Sequence, residues 1–193
     1  MEKTKKAHPE ADRYEIRLSG SGGQGMVFAG TILAEAIGVE DGKNVCQTQS
    51  YGPEARGGAS RSDLVVSSGE IYYPKPLGLD LLLALTQESC DAYFPALKED
   101  GVLVVDSELV SQLPNREAHG FPFTKIAQEQ LGTPMVANIV ALGAIAALTK
   151  IVSKNGLLEA VKRGAPKGTE ERNLKALETG FGLVHRRRAR SNR

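Results

Sequence analysis

A strand-like run, Tyr14-Glu15-Ile16-Arg17-Leu18, leads straight into Ser19-Gly20-Ser21-Gly22-Gly23-Gln24-Gly25 and then into the apolar run Met26 to Ile37. Gly20, Gly22 and Gly25 satisfy G-x-G-x-x-G in its required context of strand, turn and helix start. Glycines let the backbone turn sharply and let another group approach without meeting a Cβ. The free N–H groups at a helix start favour an anion such as a phosphate. The helix that follows is apolar almost all round, so it must be buried against a sheet, and Gly38 is expected to end it. An α/β domain follows. Two readings of the glycines stay open: a ligand cradle, or a turn needed only for tight helix-on-sheet packing.

The remaining chain fits that frame. Lys43 to Gln49 reads as the second strand. Ser62 to Ser67 and Ile71 to Tyr73 read as a hairpin joined at Ser68-Gly69-Glu70. Leu79 to Leu85 is continuous enough for a central strand covered on both faces. A helix over Glu88 to Leu97, a turn at Asp100-Gly101 and a buried strand over Val102 to Val105 complete a strand–helix–strand unit. Phe121 to Phe123 reads as a short edge strand. Thr124 is expected to cap a helix to Leu131, and a longer helix runs from Pro134 to Ile151. Two more helices are predicted, Leu157 to Arg163 and Glu170 to Leu183. The fold class is α/β: a three-layer, Rossmann-like domain with a mostly parallel sheet, one β-hairpin insertion and C-terminal helices. One domain over residues 13–184 is expected, between a disordered N-terminal tail (1–12) and a basic C-terminal tail (185–193).

Composition excludes several classes. The 193 residues carry a formal net charge of +1, which gives no electrostatic case for nucleic acid. Met135 to Leu148, the longest apolar run, is shorter than the roughly 20 residues of a membrane span. The polar start, Met1 to Asp12, is expected to be neither a signal peptide nor an anchor. The two cysteines, Cys46 and Cys90, cannot supply four thiolates to an iron–sulfur cluster and form no C-x-x-C; they read as buried, reduced thiols of a cytoplasmic protein.

A dinucleotide site would need an acidic residue at the end of the second strand. That strand ends in Thr48-Gln49-Ser50; Glu40 and Asp41 precede it, at the wrong end of the sheet. No nucleophile elbow, zinc motif or P-loop lysine occurs. His8, His119 and His185 are placed in tails or loops, and no metal site is expected. The stretch from Thr48 to Arg61 is different: polar, glycine-rich, with Tyr51, Glu54, Arg56 and Arg61. Connections of that length without their own structure are often functional. Because both it and the glycine turn follow strands, both are expected at the carboxyl edge of the sheet, where doubly wound folds bind ligands.

Taken together, Ser19 to Gly25, the apolar helix after it, Gln49 to Gly58 and Ser60-Arg61-Ser62-Asp63 resemble the gamma subunit of 2-oxoacid:ferredoxin oxidoreductases. The resemblance extends over roughly residues 13–184 and implies a subunit, inactive alone, of an enzyme that oxidatively decarboxylates 2-oxoglutarate, pyruvate or a branched-chain oxoacid to an acyl-coenzyme A, passing electrons to ferredoxin. It implies alpha and beta partners, with a ferredoxin-like delta subunit in some assemblies. Thiamine diphosphate and the iron–sulfur clusters would lie in those partners, and coenzyme A is the one ligand implied for this chain. Isolated copies are free to pair through the exposed subunit face. No residue is assigned to catalysis. The expected binding residues are Gly20, Ser21, Gly22, Gly23, Gln24 and Gly25 in the turn, and Ser50, Tyr51, Glu54, Arg56, Gly57, Gly58 and Arg61 in the loop. Two other readings remain: a free-standing NAD(P)-type Rossmann oxidoreductase, and a purely structural subunit.

Overall fold

A computed structural model describes residues 13–50 and 59–191. The N-terminal tail and most of the 50–61 loop lie outside the described residues. Among the described residues six strands form one sheet: β1 (Tyr14–Ser21), β2 (Asn44–Ser50), β3 (Ala59–Ser67), β4 (Leu79–Ala84), β5 (Leu97–Asp106) and β6 (His119–Phe121). Their order is β2-β3-β1-β4-β5-β6. β3 alone runs against its neighbours, pairing antiparallel with both β1 and β2, while β4, β5 and β6 follow β1 in parallel. The carboxyl ends of five strands therefore share one edge.

The hairpin has different partners from those expected. Ile71 to Tyr73 form no strand. Both edges of β3 are already hydrogen-bonded, to β1 on one side and β2 on the other. No ladder remains for a third strand, whatever its aromatic content. The antiparallel pair is instead β2 with β3, and the 51–58 stretch lies between them. The run Ser68–Gly78 links β3 to β4 and is tied down by buried Glu15. That carboxylate accepts from Leu77 N (2.8 Å) and Gly78 N (2.7 Å) and pairs with Arg13. Arg13 in turn donates to Tyr73 O and Lys75 O, at 2.9 and 2.8 Å.

The helices are α1 (Met26–Glu35), α2 (Gln87–Tyr93), α3 (Phe123–Leu131), α4 (Ala137–Thr149), α5 (Lys154–Gly164) and α6 (Glu170–Ser191). Past Glu35 the first helix widens into a π turn over Ala36–Glu40, so Gly38 does not end it; Gly42, at φ +67°, closes the connection. Asp100-Gly101 marks a register shift inside β5 rather than a turn between elements. No break separates a tail at residue 185: the backbone of α6 continues to Ser191. Cys90 is buried, but Cys46 is only half-buried, because β2 is an edge strand.

Alternation along the strands splits the core in two. Ile16, Leu18, Leu64, Leu81, Leu83 and Val104 face α1, α3, α4, α5 and α6. Leu79, Leu82, Ala84, Leu103 and Val105 face the other way, with Cys90 of α2. β4 is buried on both faces, as its leucine run requires. The second face is thinly covered: α2 packs on it, and over β2-β3-β1 its side chains are mostly polar, with Val65 a buried exception.

Tyr14 enters this sheet with a phenol that burial, then the Asp80 and Asp100 carboxylates, push up to about 12. The neutral phenol is the form favoured in the folded state. Its contribution is complete below pH 10, the ordinary tyrosine value, and is lost as pH rises through 12. Denaturant titrations from pH 9 to 12 are expected to show a steeper alkaline loss for the native chain than for Tyr14→Phe; equal slopes would contradict this.

Candidate functional site

β1 delivers the glycine turn to the carboxyl edge, and three of its glycines have reasons internal to the chain. Gly23 and Gly25 sit at φ +88° and +69°, in the left-handed region. A side chain at Gly25 would also press on Asn138 Nδ2, 2.5 Å from a Cβ built there. A Cβ on Gly20 would lie 2.4 Å from Gln24 Oε1, because Gln24 folds back to accept from Ser21 N at 2.8 Å. Gly22 is different. Its backbone is not left-handed, and a Cβ there would meet nothing within 4 Å. Nothing in the described chain requires glycine at that position.

The turn leaves donors free. Gln24 N donates to Ser21 O at 3.2 Å, whereas the N–H groups of Gly22, Gly23 and Gly25 meet no acceptor among the described residues. They lie at the start of α1, where the helix dipole adds to their affinity for an anion. Asn138, 2% exposed, fixes the turn from the far side: its Nδ2 donates to Gly25 O at 2.9 Å. Sequence reasoning passed over this residue. Its signal was a lone amide inside the apolar run from Met135 to Leu148, which has to be satisfied somewhere.

The expected loop residues divide. Tyr51, Glu54, Arg56, Gly57 and Gly58 lie outside the described residues. The ends of the stretch are placed: Ser50 is opposite Arg61, and Ala59 is opposite Ser21. The stretch therefore leaves and re-enters the sheet beside the glycine turn, on the edge the sequence indicated. Arg61 itself faces away from α1. Ser62 packs beneath Gly30 of α1, so its neighbours Arg61 and Asp63 project from the opposite face. Glu40 and Asp41, rejected as ribose ligands, are occupied elsewhere: Glu40 pairs with Arg163, and Asp41 accepts from Ser153 N at 2.7 Å.

On that second face, Arg17 grips Asp63 with two parallel bonds, Nε–Oδ1 at 2.6 Å and Nη2–Oδ2 at 2.8 Å. Arg61 Nε lies 3.7 Å from the same carboxylate, an attraction too long to be a hydrogen bond. Both guanidinium groups lie over the Tyr93 ring, at 4.7 and 5.4 Å from its centre. Among the described residues no three His, Cys, Asp or Glu side chains gather as metal ligands. Nor is any helix there long and apolar enough to cross a membrane.

A sheet with one reversed strand and a glycine turn at its carboxyl edge, flanked by helices, defines an α/β, Rossmann-like domain. Residues 15–183 match the profile of the family described as pyruvate ferredoxin/flavodoxin oxidoreductase, and the chain belongs to that family. It is 50% identical over 176 residues to the 2-oxoglutarate synthase subunit KorC of Methanocaldococcus jannaschii, covering 89% of this chain and 94% of that one. The corresponding subunit of Archaeoglobus fulgidus is 43% identical over 171 residues, covering 89% and 88%. The solved gamma subunit of a keto/oxoacid ferredoxin oxidoreductase from Geobacter sulfurreducens PCA superposes with a TM-score of 0.81 at 49% identity, over 89% of this chain and 96% of that one. A 2-oxoglutarate:ferredoxin oxidoreductase from Magnetococcus marinus shares the fold at 24% identity and a TM-score of 0.80. There this chain covers 32% of a much longer one.

Proposed function

We propose that this chain is the gamma-type subunit of a multi-subunit 2-oxoglutarate:ferredoxin oxidoreductase. The observation that carries the reading is end-to-end similarity to separate gamma-type subunits. The four 2-oxoglutarate synthase relatives are 42–50% identical, against 33% for pyruvate synthase and 34% for ketoisovalerate oxidoreductase subunits. In this reading decarboxylation and electron transfer belong to partner chains that hold thiamine diphosphate and the iron–sulfur clusters. Two cysteines suit that division. Recovery from the native host together with such partners, and ferredoxin reduction dependent on 2-oxoglutarate and coenzyme A, is the expected result. A lone homo-oligomer that turns over NAD(P) would overturn it.

The glycine turn is the proposed contact for coenzyme A, which supplies the thiol that takes the acyl group. Gly22, Gly23 and Gly25 would hold one of its phosphates through their N–H groups, and the open side of Gly22 is what permits that approach. The 50–61 stretch, on the same edge, would complete the site or dock the catalytic chains. Gly22→Val fits the backbone, so its melting temperature is expected within about 2 °C of the parent, inside the range typical of surface changes. Its KM for coenzyme A in the assembled enzyme should rise at least about tenfold, the equivalent of one good hydrogen bond to a charged group. No heat of coenzyme A binding to chain or complex, together with unchanged kinetics for Gly22→Val, would remove the turn from the site.

A further inference from the structure

The second sheet face over β2-β3-β1 holds a cleft of about 350 Å³ lined by Thr48, Ser50, Arg17, Arg61, Asp63 and Lys75, among others. Three cations there face one carboxylate, and that carboxylate is already committed to Arg17 through two bonds. Arg61 Nε is buried and has no hydrogen-bond partner among the described residues, a costly condition for a charged donor. The exposed Lys75 meets no acid among the described residues. The cleft is thus preset with positive charge that the described residues do not neutralise.

A smaller hollow of about 160 Å³ adjoins it, sharing Tyr73 and walled by Tyr72 and Leu77. These last two are 80% and 75% exposed, unusual for large apolar side chains. They are not on a loose flap: the segment carrying them is held by Glu15 and Arg13. A rigid surface pairing an arginine whose Nε is buried with exposed aromatic and aliphatic groups has the make-up of a protein-interface hot spot. A small anion would use the cleft and leave Tyr72 and Leu77 unexplained.

We infer that this face docks a segment of a partner subunit that sets a carboxylate between Arg61 and Lys75 and an apolar side chain between Tyr72 and Leu77. The inference rests on the chain being a subunit of the proposed enzyme. It is separate from the glycine turn, which lies at the start of α1 on the other face.

The test uses the co-expressed multi-subunit enzyme. Carbodiimide, which joins an amine to a carboxylate in direct contact, should link Lys75 to a partner aspartate or glutamate, read by peptide mass spectrometry. Lys75→Glu and Tyr72→Ser change exposed residues, so the isolated chains should melt like the parent. Each should cut recovery of the assembled enzyme at 150 mM salt at least about tenfold, as loss of an interface charge pair or anchor does. Assembly unaffected by both variants, with no link at Lys75, sinks the docking face while leaving the proposed function standing. Saturable binding of inorganic pyrophosphate to the isolated chain, abolished by Arg61→Gln, assigns the cleft to a small anion and also overturns it. If the native chain joins no partner at all, both the reading and the inference fail.

Discussion

Gly180→Ala is expected to destabilise this protein, opposite in sign to the usual effect of that substitution. In the middle of a helix, alanine normally gains about 0.5–1 kcal/mol over glycine through backbone entropy. At Gly180 a Cβ would lie 2.0 Å from Val140 O and 3.0 Å from Gly143 Cα. At Gly143 it would lie 2.2 Å from Leu177 O. The two glycines meet where α4 crosses α6, and what they touch is backbone, which cannot rotate aside. The helices must separate, opening the core that Ile139, Val140, Leu177 and Phe181 close. Overpacking commonly costs about 1–3 kcal/mol, and a rigid backbone contact belongs at the upper end or beyond. Gly180→Val should exceed about 3 kcal/mol, a drop of roughly 10 °C for a chain of this length. Calorimetric melting of both variants checks this. A Gly180→Ala melting point at or above the parent's would show that the crossing tolerates a methyl group.

Asp106→Ala should cost about 3–4 kcal/mol, since three donors lose a charged acceptor inside the protein. The carboxylate is fully buried at the end of β5. Its Oδ2 accepts from Thr124 N at 2.8 Å and Thr124 Oγ1 at 2.6 Å, and its Oδ1 accepts from Glu108 N at 3.0 Å. It thereby caps α3 from a distance, because Pro122 at that helix's N-cap offers no side-chain acceptor. Thr124, expected to be the cap, is the residue being capped. Asp106→Asn retains the shape but turns an amide donor toward one of these donors, so it should recover only part of the loss. Urea titrations read both, and a change below about 1 kcal/mol for Asp106→Ala would contradict the assignment.

Elements whose signal is local were legible from the chain. The leucine run of β4 can be satisfied only by burial on both faces. The glycine turn needs left-handed backbone at Gly23 and Gly25, which only glycine adopts freely. The common edge of the turn and the 50–61 stretch followed from strand direction alone. Pairing partners were not legible. Ile71-Tyr72-Tyr73 has strand chemistry, but β1 and β2 had taken both sides of β3, and sequence does not encode which edges remain free. The Cys46 expectation failed for a related reason: burial depends on whether β2 is central or at the edge.

In the candidate site, the sequence presents Gly20 to Gly25 as one set, and only packing separates them. Gly20, Gly23 and Gly25 answer to Gln24, to backbone conformation and to Asn138, while Gly22 answers to nothing inside the described chain. Arg61 was placed near the right edge, but its face depended on which neighbour slid under α1. Because glycine has no side chain, Gly30 drew Ser62 in close and sent Arg61 and Asp63 to the other side.

The sequence by itself determined that a buried helix follows a glycine turn, that the domain is α/β, and that two cysteines cannot supply four thiolates to an iron–sulfur cluster. Those conclusions rest on short-range physics: hydrophobic period, backbone freedom and the number of donor atoms. Only the tertiary structure decided that β3 runs reversed between β1 and β2, that Asn138 and Asp106 reach across to satisfy distant backbone, and that two arginines share the tyrosine at the end of α2. Each of these depends on residues more than 15 positions apart meeting in space, and the free energy that selects among such meetings belongs to the whole packed core rather than to any one stretch of chain.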